Sequence, residues 1–265
     1  MNPRRGTRAE NADIPSASDE PALVLLHHFG GSARTWQGFI DTVGGRRRCV
    51  ALDLPGFGAR ADHPGPYTVT AMADHVEACI VELDLEDYVL VGHSMGGKVA
   101  LALAARRPAG LRSLVLLAPS PPSAEPIDPQ QRETMLAAWG SRSAMSDIVD
   151  AATVRTLPAE VRATLVEDML AVSRHAWQAW LLHGSREDIT AAMAQIHVPA
   201  LVASGDGDAA IPRAVLEAEL LPRLANVELS VIVGAGHLLP IEAATETACM
   251  VRQCLGLFSP SDVEV

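Results

Sequence analysis

Apolar residues in this chain fall into short unbroken runs separated by stretches with helical spacing. The runs are Ala22–Leu26, Cys49–Leu52, Tyr88–Val91, Leu114–Ala118, Ala200–Ala203 and Val227–Val233. Most are apolar throughout rather than at every second position, which suits strands covered on both faces, as in a parallel sheet. Between them, Thr70–Leu83 sets Met72, Val76, Cys79, Ile80 and Leu83 at helical spacing. Gly97–Arg107 is rich in Ala and Leu and is stopped by Pro108. Strands alternating with helices predict an α/β fold with a doubly wound, mostly parallel sheet and helices on both faces.

The alternation breaks once. After the run ending at Ala118 comes a proline-rich linker, Ala118 to Pro126, and then no convincing strand until Val198 and Pro199. Helical patterns fill the gap at Pro129–Trp139, Pro158–Val172 and His175–Leu182. Residues 121–195 therefore read as a helical insertion dividing a core of residues 21–120 and 196–265. Residues 1–20 are polar and rich in Pro, Ala and Ser, and read as a flexible N-terminal tail.

Composition narrows the function classes. A net charge of −11 argues against nucleic acid as a partner, because phosphate backbones need a basic footprint. No stretch approaches the roughly 18 apolar residues of a membrane span. Arg4, Arg5 and Arg8 are not followed by the apolar segment of a secretory signal, and the four cysteines show no CxxC pair or zinc spacing. A cytoplasmic protein with reduced thiols is the expectation. No phosphate-binding or dinucleotide fingerprint and no metal-ligand set is visible, so no cofactor and no metal are expected.

The candidate chemistry sits at the ends of the runs. Gly92-His-Ser-Met-Gly96 follows a strand and opens a helix, the context of a nucleophile elbow with Ser94 at its tip. The turn is sharp, and small residues two positions either side of the serine relieve the crowding. Ser94 needs a base. Of nine histidines, His237 stands in the Gly-flanked loop Gly234-Ala-Gly-His237 after the last strong run, at the sheet edge where open α/β sheets place ligands. His93 is the elbow's variable position, His75 and His175 fall in helical patterns, His63 lies in a loop and His197 precedes a strand. The base needs an orienting carboxylate. Asp206 and Asp208 both follow the Ala200–Ala203 run, and on the residues alone both stay open. At the end of the first run, Leu25-Leu-His-His-Phe-Gly-Gly-Ser32 offers a Gly-rich turn whose Phe29 N–H, with that of Met95, would form an oxyanion hole. His27 and His28 lack the companions that metal ligation would need.

From about Ala22 to Phe258 these segments, in this order, resemble the α/β-hydrolase fold superfamily, and within it small bacterial carboxylesterases and cofactor-free haloperoxidase-like serine hydrolases. The matching segments are residues 25–31, Leu52-Asp-Leu-Pro-Gly-Phe-Gly58, Val91 to Gly97, Gly205-Asp-Gly-Asp208 with Pro212, and Gly234 to His237. The resemblance implies that Asp208, spaced from Gly205 and Pro212 as in the family, is the acid of a Ser94–His237–Asp208 triad. It implies that residues 121–195 form a helical cap, and that Asp53 is structural. Two departures stand out. The family's usual His-Gly dipeptide is His27-His28 here, and residues 1–20 are too polar for the antiparallel strand pair with which most relatives begin. About six parallel strands are therefore expected.

The function this implies is a serine hydrolase of a small or medium neutral carboxylic ester, working through an acyl-enzyme, with a small-molecule ester-like substrate as partner. The same triad serves thioesterases, lactonases, C–C hydrolases and perhydrolases. A non-catalytic ligand-binding member of the fold is the reading from another class. Lys98, just after the elbow, reads as a solvated or ion-paired side chain, with contact to an acidic substrate as its functional alternative.

Overall fold

The structure, a computed structural model, describes residues 20–43 and 47–257. The expected tail, residues 1–20, lies outside them apart from Glu20. Six strands form one parallel sheet: β1 Ala22–Leu26, β2 Cys49–Leu52, β3 Tyr88–His93, β4 Leu111–Leu117, β5 Ala200–Gly205 and β6 Val227–Ile232, in the order β2-β1-β3-β4-β5-β6. The four inner strands are buried almost throughout, while the edge strands β2 and β6 are half-buried. Each inner strand carries a continuous apolar run, and the edge strand β2 carries a short one as well. β4 begins three residues before the expected start, because Arg112 interrupts the apolar run with its side chain turned outward.

Alternate residues on each strand feed two separate cores. Leu23, Leu25, Val89, Val91, Val115 and Leu117 pack with Phe39 and Val43 of α1 (Gln37–Val43) and Val251, Cys254 and Leu255 of α10 (Ala244–Leu257). Val24, Leu26, Leu90, Leu114 and Leu116 pack against α2 (Val69–Glu82), α3 (Met95–Ala104) and Leu216 of α8 (Arg213–Glu219). The sheet is doubly wound, as expected, because a period-two backbone sends successive side chains to opposite faces.

Between β4 and β5 the chain runs through α4 (Pro129–Ala138), α5 (Arg142–Ala151), α6 (Ala159–Ala171) and α7 (Arg174–Leu182). α5 was not among the expected helices. Its signal was present: Ser141 caps it by accepting from the Ala144 N–H, and Met145, Ile148, Val149 and Ala152 recur at helical spacing. A four-residue helix, α9 (Leu239–Glu242), follows the His237 loop.

Candidate active site

The elbow is held by backbone bonds to the neighbouring strand. Ser94 stands between β3 and α3 with φ +51° and ψ −116°, a conformation that costs a residue with a Cβ on the order of 1–3 kcal/mol. Its N–H donates to the Leu117 carbonyl (3.0 Å), and its carbonyl accepts from Gly97 (2.8 Å) and Ser120 (3.0 Å). The glycines are steric necessities. A Cβ on Gly92 would stand 2.5 Å from the Gly96 oxygen, and one on Gly96 would stand 2.3 Å from the Leu26 oxygen.

The side chains singled out in the sequence meet at this end of the sheet. Ser94 Oγ lies 2.8 Å from His237 Nε2, and His237 Nδ1 lies 2.8 Å from Asp208 Oδ2. The other carboxylate oxygen of Asp208 accepts from the Ala210 and Ile211 N–H groups, both at 2.9 Å. Asp206 goes elsewhere: its Oδ1 accepts from the Gly234 N–H at 2.7 Å on the exposed side of the same loop. Among the described residues, the N–H groups of Phe29 and Met95 donate to no acceptor, while the adjacent Gly96 N–H is tied to the His27 carbonyl (3.2 Å).

The loop carrying Phe29 is fastened on both sides. His27 Nδ1 donates to the His28 carbonyl (2.8 Å) and its Nε2 accepts from the Leu54 N–H (3.1 Å), so a neutral imidazole satisfies both contacts. Asp53 accepts from the N–H groups of Ala33 (2.7 Å) and Ala59 (2.9 Å), the structural part expected of it. From the other side, buried Asp168 of α6 accepts from Ser32 Oγ at 2.8 Å and pairs with the Arg34 guanidinium. The left-handed residue of the turn is Gly30 (φ +86°), and His28 keeps an ordinary negative φ. The Cβ at position 28, a departure from the family's glycine, therefore brings no backbone strain.

Several positioning groups gave no sequence signal. His93 Nε2 donates to the His237 carbonyl at 2.8 Å, so the elbow's variable residue braces the base. Glu242, on α9, accepts from Leu238 (3.1 Å), Val154 (2.9 Å) and Arg155 (3.1 Å), joining the His237 loop to the end of α5. The His237 N–H donates to the Ala152 carbonyl at 2.9 Å. Leu238 aside, these partners lie about 85 residues or more away in sequence. Lys98 corrects an expectation: it is neither solvated nor ion-paired but fully buried, its Nζ donating to the Ser123 carbonyl (2.8 Å). Burial lowers its pKa to about 8, opposed by the charges of Glu125, Glu187 and Asp188.

A cleft opens beside Ser94 and His237. Its walls are mainly apolar, with Phe29, Met135, Ile148, Met169, Trp180 and Leu238 among them, and its polar lining comes from His28, Glu125 and Gln131 besides Ser94 and His237. Burial raises the pKa of Glu125, opposed by Ser120 and by the charge of Lys98. Among the described residues no helix is long and apolar enough to cross a membrane, and no three His, Cys, Asp or Glu side chains gather as a metal site would need.

The buried histidines should make the protein acid-labile. Burial lowers the pKa of His27, His28 and His93 below the ordinary 6.5, strongly for the last two. As pH falls through about 6.5 the unfolded chain protonates these imidazoles while the folded chain does not. The unfolded state then binds more protons, so stability declines with pH, by up to about 1.4 kcal/mol per pH unit for each histidine. Glu125, shifted upward, opposes this with one group against three. The thermal midpoint should drop steadily between pH 6.5 and about 5; a flat or rising midpoint would contradict the burial of neutral imidazoles.

Known proteins agree with this architecture. The alpha/beta hydrolase family matches residues 23–248. A dihydrolipoyllysine-residue acetyltransferase component of an acetoin cleaving system from Pseudomonas putida is 32% identical over 234 residues, covering 84% of this chain and 60% of that protein. Two solved structures superpose over nearly the whole chain. An esterase from Exiguobacterium antarcticum has a TM-score of 0.80 at 18% identity, covering 89% of this chain and 92% of that one. A thermophilic esterase from Thermogutta terrifontis has a TM-score of 0.76 at 25% identity, covering 90% of each. The chain spans 60% or less of the length of the curated relatives it matches.

Proposed function

The chain belongs to the α/β-hydrolase family, and from that premise we propose that it is a serine hydrolase cleaving small or medium neutral carboxylic esters through an acyl-enzyme. The observation that carries this reading is the unbroken hydrogen-bonded run from Ser94 Oγ through His237 to Asp208, with both links at 2.8 Å, opening onto an apolar cleft. Solved esterases among the structural neighbours lend it support. In this reading residues 121–195 are a cap whose helices α4–α7 wall the cleft.

Ser94 Oγ attacks the ester carbonyl while neutral His237 takes its proton at Nε2. Asp208 holds the imidazole by its Nδ1–H and stabilises the imidazolium that forms. The unpaired N–H groups of Phe29 and Met95 receive the negative charge on the carbonyl oxygen, and the N-terminus of α3 adds a favourable dipole. The alkoxy group leaves with the proton from His237. Water, activated by the same base, then attacks the acyl-enzyme and releases the acid.

The test is a screen of p-nitrophenyl esters, thioesters and lactones after dialysis against EDTA. Ester turnover that survives chelation is expected. Activity that returns only with an added divalent ion, or that favours thioesters or lactones over every ester, would overturn the proposal.

A further inference from the structure

The two donors assigned to the oxyanion are held by different parts of the chain. Met95 stands at the start of α3, and the elbow before it is fixed to the sheet by the bond from the Ser94 N–H to Leu117. Phe29 stands in the turn after β1. That turn has little stiffness of its own, because Gly30 (φ +86°) and Gly31 come next. The core fastens it at its two ends, through the His27 ring on Leu54 and through the Ala33 N–H on Asp53. Between those ends the insertion packs against it. The Phe29 ring lies 4.4 Å from Trp177 and 6.3 Å from Trp180 of α7, between ring centroids. A Cβ on Gly30 would stand 3.0 Å from Met169 Cγ of α6. Ser32 Oγ donates to Asp168 Oδ2 at 2.8 Å and accepts from the Arg34 N–H at 3.1 Å. The other carboxylate oxygen of Asp168 accepts from Arg34 Nε (3.1 Å) and Nη2.

Asp168 is out of character for its place. It lies on the buried face of α6 with Leu165, Val166 and Met169, and is 2% exposed. A buried carboxylate is costly unless it is paired and hydrogen-bonded, and an apolar side chain of similar size would hold α6 to the core at least as well. What an apolar side chain cannot do is fix a hydroxyl at a set distance and direction. The partners of Asp168 are Ser32 and Arg34, three and five residues after Phe29. Resting on the serine-hydrolase reading above and its choice of the Phe29 N–H as an oxyanion donor, we propose that Asp168 is a positioning residue. From the insertion it sets the turn, so that the Phe29 N–H meets the developing oxyanion beside that of Met95. The oxyanion hole is complete only when α6 is seated on the turn. Small errors matter there, since a displacement of about 1 Å at a reacting centre can cost about 100-fold in rate.

The experiment measures kcat and KM on a p-nitrophenyl ester for wild type, Asp168→Ala, Asp168→Asn, Ser32→Ala and, as a blank, Ser94→Ala. It adds inhibition by a trifluoromethyl ketone with the same acyl chain and by the matching secondary alcohol. Ser94 Oγ adds to the ketone carbon, its proton passes to His237, and the carbonyl electron pair settles on the oxygen, which then needs the oxyanion donors. The alcohol fills the cleft but forms no adduct. Asp168→Ala should lose about 10- to 100-fold in kcat, approaching the usual worth of one oxyanion donor, with KM within about threefold of wild type. The ketone should bind more weakly by a similar factor, and the alcohol as tightly as before. Asp168→Asn keeps an oxygen for Ser32 and should recover much of the loss. Ser32→Ala leaves the carboxylate paired with Arg34 and should reproduce the loss, and it carries the test if Asp168→Ala does not fold. An unchanged kcat, a loss confined to the thermal midpoint, or equal weakening of ketone and alcohol would overturn the role of Asp168. Wild type inactive on p-nitrophenyl esters, or activity that persists in Ser94→Ala, would overturn the parent reading and this one with it. Wild-type turnover that disappears in Ser94→Ala upholds the parent reading whatever Asp168 does.

Discussion

Replacing Ser94 with alanine is expected to lower kcat by about 10⁴- to 10⁶-fold, the usual cost of removing a triad nucleophile, while the thermal midpoint barely moves. The hydroxyl makes one hydrogen bond, to His237 Nε2, and supports no other residue. Alanine keeps the same Cβ, so the strained φ of +51° is neither relieved nor worsened. The backbone bonds to Leu117, Gly97 and Ser120 do not involve the side chain. A fluorophosphonate should label the wild type at Ser94 and leave the variant unlabelled. Labelling that persists, or a residual rate within tenfold of wild type, would show that another group is the nucleophile.

Asp208→Asn should cost about 10⁴-fold in kcat, and Asp206→Asn no more than a few-fold. The reason lies in how Asp208 is held. Its Oδ1 is fixed by two backbone donors, Ala210 and Ile211. In an asparagine the oxygen would keep that place, and the amide NH2 would face His237 Nδ1. The imidazole would then carry its proton on Nε2, against Ser94 Oγ, and could not act as a base. Asp206 only accepts from the Gly234 N–H, which an asparagine oxygen can also do. Steady-state kcat for the two variants decides the matter: comparable losses, or a greater loss at position 206, would make Asp206 the orienting acid.

The sheet was legible because its information is local. Six apolar runs marked six strands, and the strand-then-helix context of Gly92 to Gly96 marked the turn, since burial period and turn sterics act over a few residues. α5 was missed although its capping serine and its spacing were visible, because a short run rich in Ser, Ala and Asp reads as a loop when its packing partners are unknown. The side-chain contacts around the cleft have no such local code. Asp206 and Asp208 are two residues apart on one loop, and the fold aims one at His237 and the other at the backbone of Gly234. Lys98 is buried because the linker after β4 folds its Ser123 carbonyl over the start of α3. His93 braces a residue 144 positions away, and Asp168 grips the Phe29 loop from 136 positions away. Periodicity reports which face of an element is covered. Which atom covers it depends on how distant elements pack, and that packing alone brought Glu242 and Asp168 to the loops around Ser94 and set His93 against the His237 carbonyl.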